Sequence, residues 1–128
     1  MPSSILLINF RFPGKKSLKN SKSTHKMKII SLSDAQKVPF NLEGYIMHSS
    51  STLEVIHLCL KPAEEIAQHK NPFDVVVCLI EGEVTLLAAG NKIELKIYNV
   101  VEVERSVDRG FRNSGSVDAR MLILKKLT

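Results

Sequence analysis

Strand-length runs of apolar and β-branched residues recur at intervals of roughly ten residues from Glu43 onward, and no segment carries a helical apolar repeat of two or more turns. A chain patterned in this way buries its apolar side chains by packing sheet on sheet or by closing a sheet on itself. The fold class is therefore all-β, a sandwich or a barrel. The runs are Glu43 to His48, Leu53 to Leu60, Phe73 to Ile80, Glu83 to Ala88, Lys92 to Ile97, Val100 to Glu104 and Asp118 to Lys126. Lys61-Pro62 closes the second, because proline has no N–H to give to a ladder. Phe73 to Ile80 (FDVVVCLI) is almost continuously apolar, the composition of a strand covered on both faces. Ala89-Gly90-Asn91 predicts a hairpin, since glycine and asparagine tolerate the positive φ of a tight turn. Helical character is confined to Pro62 to His69, long enough for at most a turn or two.

Charge divides the chain at Met27. The first 26 residues hold six basic side chains and no acidic one, so they carry +6 of a net charge of +5 and the remaining residues carry −1. Residues 11–26 are rich in Lys and Ser without apolar periodicity, and the expectation is a disordered basic extension, residues 1–26, before a domain at 27–128. Met27 opens a short apolar strand and is an alternative initiator, which would make the extension a start-site artefact. The tail lacks the aromatic residues that a single-strand nucleic-acid binder interleaves with its cations, so nucleic acid is not an expected partner. Its one apolar run, Ile5 to Phe10, is too short to cross a membrane or to serve as a signal sequence. Cys59 and Cys78 are expected on opposite faces of their strands, hence without a disulfide. A cytoplasmic location is the corresponding expectation.

The segment HKNPFDVVVCLIEGEVTL, from His69 to Leu86, resembles the first motif of the cupin superfamily: a glycine, then His-x-His, a glutamate and a closing glycine. In that register His69 takes the first histidine, Asn71 the second, Val75 the glutamate and Gly82 the closing glycine. Arg109 to Gly115 (RGFRNSG) resembles the latter half of the second motif, with Asn113 matching and Arg109 in the place of the remaining ligand histidine. Tyr98, Glu104 and Ser106 replace that motif's first glycine, its proline and its second glycine. The resemblance implies a double-stranded β-helix, or jelly-roll barrel, over residues 27–127. It also implies a site in the barrel mouth, which in the family holds Fe, Mn, Ni or Zn, and a homodimer. Of the ligand residues only His69 remains, Val75 has no donor atom, and Arg109 carries a permanent positive charge. A bound metal is accordingly not expected.

Alternation along Leu53 to Leu60 places Glu54, Ile56, Leu58 and Leu60 on one face and Val55, His57 and Cys59 on the other. With Glu54 taken as solvent-facing, His57 points into the barrel, and Ile56, Leu58 and Leu60 form an apolar outer face suited to a dimer. The expected ligand-binding residues are His69 and Asn71 as hydrogen-bonding groups, Arg109 as a clamp for a carboxylate or phosphate, and His57, Tyr45 and Phe111 as pocket walls. Competing readings are a hydrogen-bonded interior His57, an Arg109 salt-bridged to Asp74, Asp108 or Glu104 or simply exposed at the rim, and core roles for Tyr45 and Phe111. Three functions follow: a metal-free protein that binds or senses a small polar or anionic molecule, a cupin-type enzyme, an isomerase or dioxygenase-like protein, whose metal is held by His57, His69 and Asp74, or a purely structural or partner-binding domain with its barrel filled by side chains.

Overall fold

The structure is a computed structural model and describes residues 22–24 and 26–128. It contains twelve strands: β1 Lys22–Thr24, β2 Met27–Ile29, β3 Gln36–Lys37, β4 Glu43–Ser49, β5 Leu53–Leu60, β6 Glu65–His69, β7 Asp74–Glu81, β8 Val84–Ala88, β9 Asn91–Leu95, β10 Val100–Val103, β11 Arg109–Asn113 and β12 Ala119–Lys126. A single 3-10 turn, Leu32–Asp34, is the only helical element among the described residues. Six strands form one sheet in the order β10-β7-β12-β5-β4-β3, four form a second in the order β6-β11-β8-β9, and β1 pairs with β2 apart from both. No described helix is long and apolar enough to cross a membrane.

Two sequence expectations fail at the ends of elements. Lys22–Thr24 lies in the basic stretch expected to be disordered, yet it pairs antiparallel with Met27–Ile29. Residues 1–21 and residue 25 lie outside the described residues. Pro62 to His69 is not helical: Ala63 takes a positive φ of 68°, Glu64 N–H donates to Lys61 C=O, and the chain then runs on as β6 beside β11. Helix propensity over so few residues is weak, and pairing with β11 satisfies the same backbone groups while burying Ile66.

The core lies between the two larger sheets. β5 contributes Ile56, Leu58 and Leu60, β7 contributes Val75, Val77 and Leu79, and β12 contributes Met121 and Ile123. Ile66, Leu86 and Phe111 meet them from the four-stranded sheet. Burying such side chains supplies roughly 1.5–3 kcal/mol each relative to exposure, which makes this layer the main source of stability. Ile56, Leu58 and Leu60 are therefore interior, opposite to the orientation expected from sequence, and Glu54 goes inward with them.

Glu54 is fully buried and pairs with equally buried Lys125 on the neighbouring β12, at 3.5 Å. The register sets Val103, Val75, Lys125, Glu54 and Ser49 in one row across the inner face of the sheet. Burial pushes the Lys125 ammonium down to about 8, and Glu54 offsets only part of that effect. The same inversion corrects the cysteines. Cys59 and Cys78 both point outward, on β5 and β7 with β12 between them, and both are free.

Candidate functional site

β6 and β11 run antiparallel with His69 directly opposite Arg109, so the two side chains project to the same side of the sheet. That side is the interior, because Arg109, Phe111 and Asn113 alternate inward along β11 and all three are buried. A bulge between Arg109 and Phe111 lets the strands approach closely: a Cβ at Gly110 would lie 2.6 Å from the Ile66 carbonyl oxygen. Glycine at that position is what allows His69 and Arg109 to sit side by side.

Arg109 is completely buried. Its Nη1 donates to the carbonyls of Val107 at 2.8 Å and Glu104 at 3.3 Å, and Nη2 donates to the carbonyl of Phe73 at 3.5 Å. The guanidinium thus ties the loop before β7 to the loop before β11. No carboxylate among the described residues lies within salt-bridge distance of it, so the expected ion pair with Asp74, Asp108 or Glu104 is not formed. Asp74 instead holds Arg105, and the Glu104 contact is through its backbone. Burial lowers the Arg109 pKa, against the pull of Asp108 and Asp74, but a guanidinium keeps its proton in a protein. With the terminal nitrogens engaged on carbonyls, the expected end-on fork for an anion is already in use. Nε–H is buried without a partner.

His69 supplies the complementary atom. Its Nδ1 lies 2.8 Å from the Ala67 carbonyl oxygen, which can only accept, so Nδ1 carries the proton. Burial first, and the Arg109 charge as well, lower its pKa, and the imidazole is neutral with a bare Nε2 that has no partner and is buried. Asn71, also buried, accepts the Phe73 N–H on Oδ1 at 3.1 Å and so shapes the adjoining loop.

The other expected site residues are elsewhere. His57 lies on the outer face of the six-stranded sheet, where it pairs with Tyr45 and the two rings meet edge to face at 6.2 Å. Tyr45 Oη donates to Glu43 at 2.9 Å. Both residues are half-buried on that face, so neither lines the interior, and His57 cannot share a site with His69. The cause is the burial of Ile56, Leu58 and Leu60 on the same strand face: Lys125 on β12 lets Glu54 go in with them, and alternation then turns His57 out. Phe111 is part of the core. Asn113 is structural, its amide donating to Leu60 C=O at 2.9 Å and Val117 C=O at 2.8 Å while Oδ1 accepts the Gly115 N–H. Sequence reasoning did not single out the Glu54–Lys125 pair. A glutamate and a lysine on otherwise apolar inward-facing stripes were its only signal.

The architecture can be compared with known structures. The chain has a TM-score of 0.70 to an RmlC-like cupin from Shewanella frigidimarina, at 15% identity over 83% of this chain and 93% of that one. This chain has the cupin fold. A cupin 2 conserved barrel domain protein from Salinispora arenicola matches at TM-score 0.66 and 11% identity, over 81% of this chain and 90% of that one. The polyketide cyclase RemF from Streptomyces resistomycificus matches at 0.70 and 13%, over 80% of each chain. No family model and no curated protein matches the sequence.

In the register of the sequence resemblance to the cupin motifs, the metal-ligand positions fall on His69, Asn71, Val75 and Arg109, and these residues do not fit a metal. Val75 offers only hydrocarbon, Arg109 brings a fixed positive charge, and the Asn71 oxygen is already bonded. No group of three or more His, Cys, Asp or Glu side chains among the described residues is placed to hold an ion.

Proposed function

We propose that this cupin-fold chain binds one small polar or anionic organic molecule at the Arg109 end of the barrel, as a binding or sensing protein without a metal. What carries the reading is a pair of unsatisfied buried atoms on facing residues, the donor Arg109 Nε–H and the acceptor His69 Nε2. Buried polar atoms without partners cost about 1–3 kcal/mol each, and a hydroxyl or an acid group satisfies both at once by accepting from the arginine and donating to the histidine. An anion also offsets a buried guanidinium that has no carboxylate partner. Entry runs through the loops that Arg109 pins, residues 70–73 and 104–108, with ligand oxygens replacing the loop carbonyls at the guanidinium.

Calorimetric titration with small carboxylates, hydroxy acids and inorganic phosphate tests the proposal. Binding by the wild type that is lost in His69→Ala and in Arg109→Lys, with both variants folded, is the expected result. Elemental analysis of tag-free protein by plasma mass spectrometry tests the metal-dependent alternative. Near-stoichiometric Fe, Mn, Ni or Zn that disappears in His69→Ala would overturn the metal-free reading.

A further inference from the structure

The buried pair of Glu54 and Lys125 lies at the same end of the barrel as Arg109. Val75 on β7 is the cross-strand neighbour of both Val103 on β10 and Lys125 on β12, and the row continues through Glu54 to Ser49 along the inner face of the larger sheet. The two loops that Arg109 pins lead straight into that row. Residues 70–73 enter β7 just before Val75, and residues 104–108 leave β10 just after Val103. Parting these loops, the route by which a ligand enters, uncovers the row that holds Lys125. The Phe73 carbonyl bound by Arg109 stands two positions before Val75, an interval of about 7 Å at the rise of a strand, which a short-chain acid spans. Stability does not account for the pair, because hydrocarbon of similar volume serves a structural interior at least as well as a buried ion pair does.

We infer that the ligand is a short-chain oxo acid, whose carboxylate meets Arg109 and whose carbonyl carbon forms an imine with Lys125 Nζ; this rests on the reading of Arg109 and His69 as a binding site. Glu54 Oε1 lies 3.5 Å from Nζ, and Ser49 Oγ donates to Glu54 Oε2 at 3.4 Å, so a proton carrier stands beside the amine. Glu54 takes one proton from the ammonium, and the neutral amine attacks the carbonyl carbon. The new C–N bond gives a carbinolamine, with a second amine proton passing to the former carbonyl oxygen. Glu54 returns its proton to that hydroxyl, the C–O bond breaks, and water leaves a protonated C=N. Ammonium and carbonyl have then become iminium and water, with no oxidant or reductant needed. The iminium keeps a positive charge beside Glu54, so the buried pair survives the reaction. Burial favours the attack as well, since it depresses Lys125 to about 8 and desolvated lysines are the ones that form imines.

Trapping with cyanoborohydride tests the imine. The full chain is incubated with pyruvate or levulinate and the reductant, then weighed intact and mapped by peptide mass spectrometry, while calorimetry follows binding of the same acids and of their hydroxy counterparts. The expected result is one added mass equal to the oxo acid less one oxygen atom, located on Lys125. At about pH 7.5 an amine with a pKa near 8 is neutral on the order of a hundred times more often than one at 10.5, so exposed lysines are expected to be marked far less. Glu54→Leu with Lys125→Met is expected to lose the adduct. Should that double variant fail to fold, the peptide map of the wild type decides the matter alone. Acids that bind in calorimetry but leave no adduct, or one spread over exposed lysines, overturn the imine and leave the binding site standing. Neither binding nor adduct overturns both.

Discussion

Glu54 and Lys125 form a fully buried ion pair that goes into the core with Ile56, Leu58 and Leu60. Removing a single partner leaves an uncompensated charge in the core, so Lys125→Met is expected to cost about 3–5 kcal/mol in urea unfolding, while Glu54→Leu with Lys125→Met recovers most of that loss. The pair also imposes a pH dependence. The Lys125 pKa is depressed from 10.5 to about 8 in the folded chain, so the stability linked to it is fully present above 10.5 and is lost as pH falls through about 8. Between pH 8 and 10 the wild type is therefore expected to gain stability relative to the double variant, and a constant difference in urea midpoint would show that Lys125 titrates normally. Asn113 is the other residue whose polar atoms are fully used inside. Asn113→Ala strands the carbonyls of Leu60 and Val117, and a loss of about 2–4 kcal/mol is expected from thermal or urea unfolding.

At the scale of elements, the β8–β9 hairpin is a two-residue turn in which both central residues, Ala89 at φ 52° and Gly90 at φ 79°, are left-handed. Two positive φ values match the right-handed twist of the flanking strands, but alanine pays a steric penalty that asparagine or glycine escapes. Ala89→Asn is expected to raise stability by about 0.5–1 kcal/mol, seen as a higher thermal midpoint with an unchanged fold. The Gly82 turn obeys a stricter constraint. Its φ is 84°, and a Cβ there would lie 2.7 Å from the Asp118 carbonyl oxygen, so no side chain is accommodated. Gly90 has open space around it, and its requirement is conformational alone.

Across the whole molecule, the last strand in sequence is central in space. β12 lies between β5 and β7 and supplies Met121, Ile123 and Lys125 to the interior. A chain ending before Ala119 loses the strand that joins the two halves of the larger sheet. Such a truncation is expected to abolish the cooperative unfolding transition and the β-type circular dichroism, whereas fraying confined to β3 at the sheet edge would leave both in place.

The sequence by itself determined the all-β class, the closing proline of β5, the Gly90 hairpin and most strand limits, because period-2 patterning, β-branched content and turn chemistry act locally. Leu53–Leu60 has the limits that its pattern predicts. It also carried the cupin resemblance through His69, Gly82 and Asn113. Which face of β5 looks inward was decided only in three dimensions: alternation marks two faces without naming the buried one, and a glutamate reads as solvent-facing until its lysine, 71 positions away, is found beside it. Burial of Ile56, Leu58 and Leu60, with Lys125 accommodating Glu54 among them, turned His57 and Cys59 outward, separated His57 from His69, and moved the apolar outer surface to Val76, Leu122 and Leu124. The role of Arg109 was equally beyond local patterning, since its partners are carbonyls of two loops that meet only when β6, β7 and β11 have assembled.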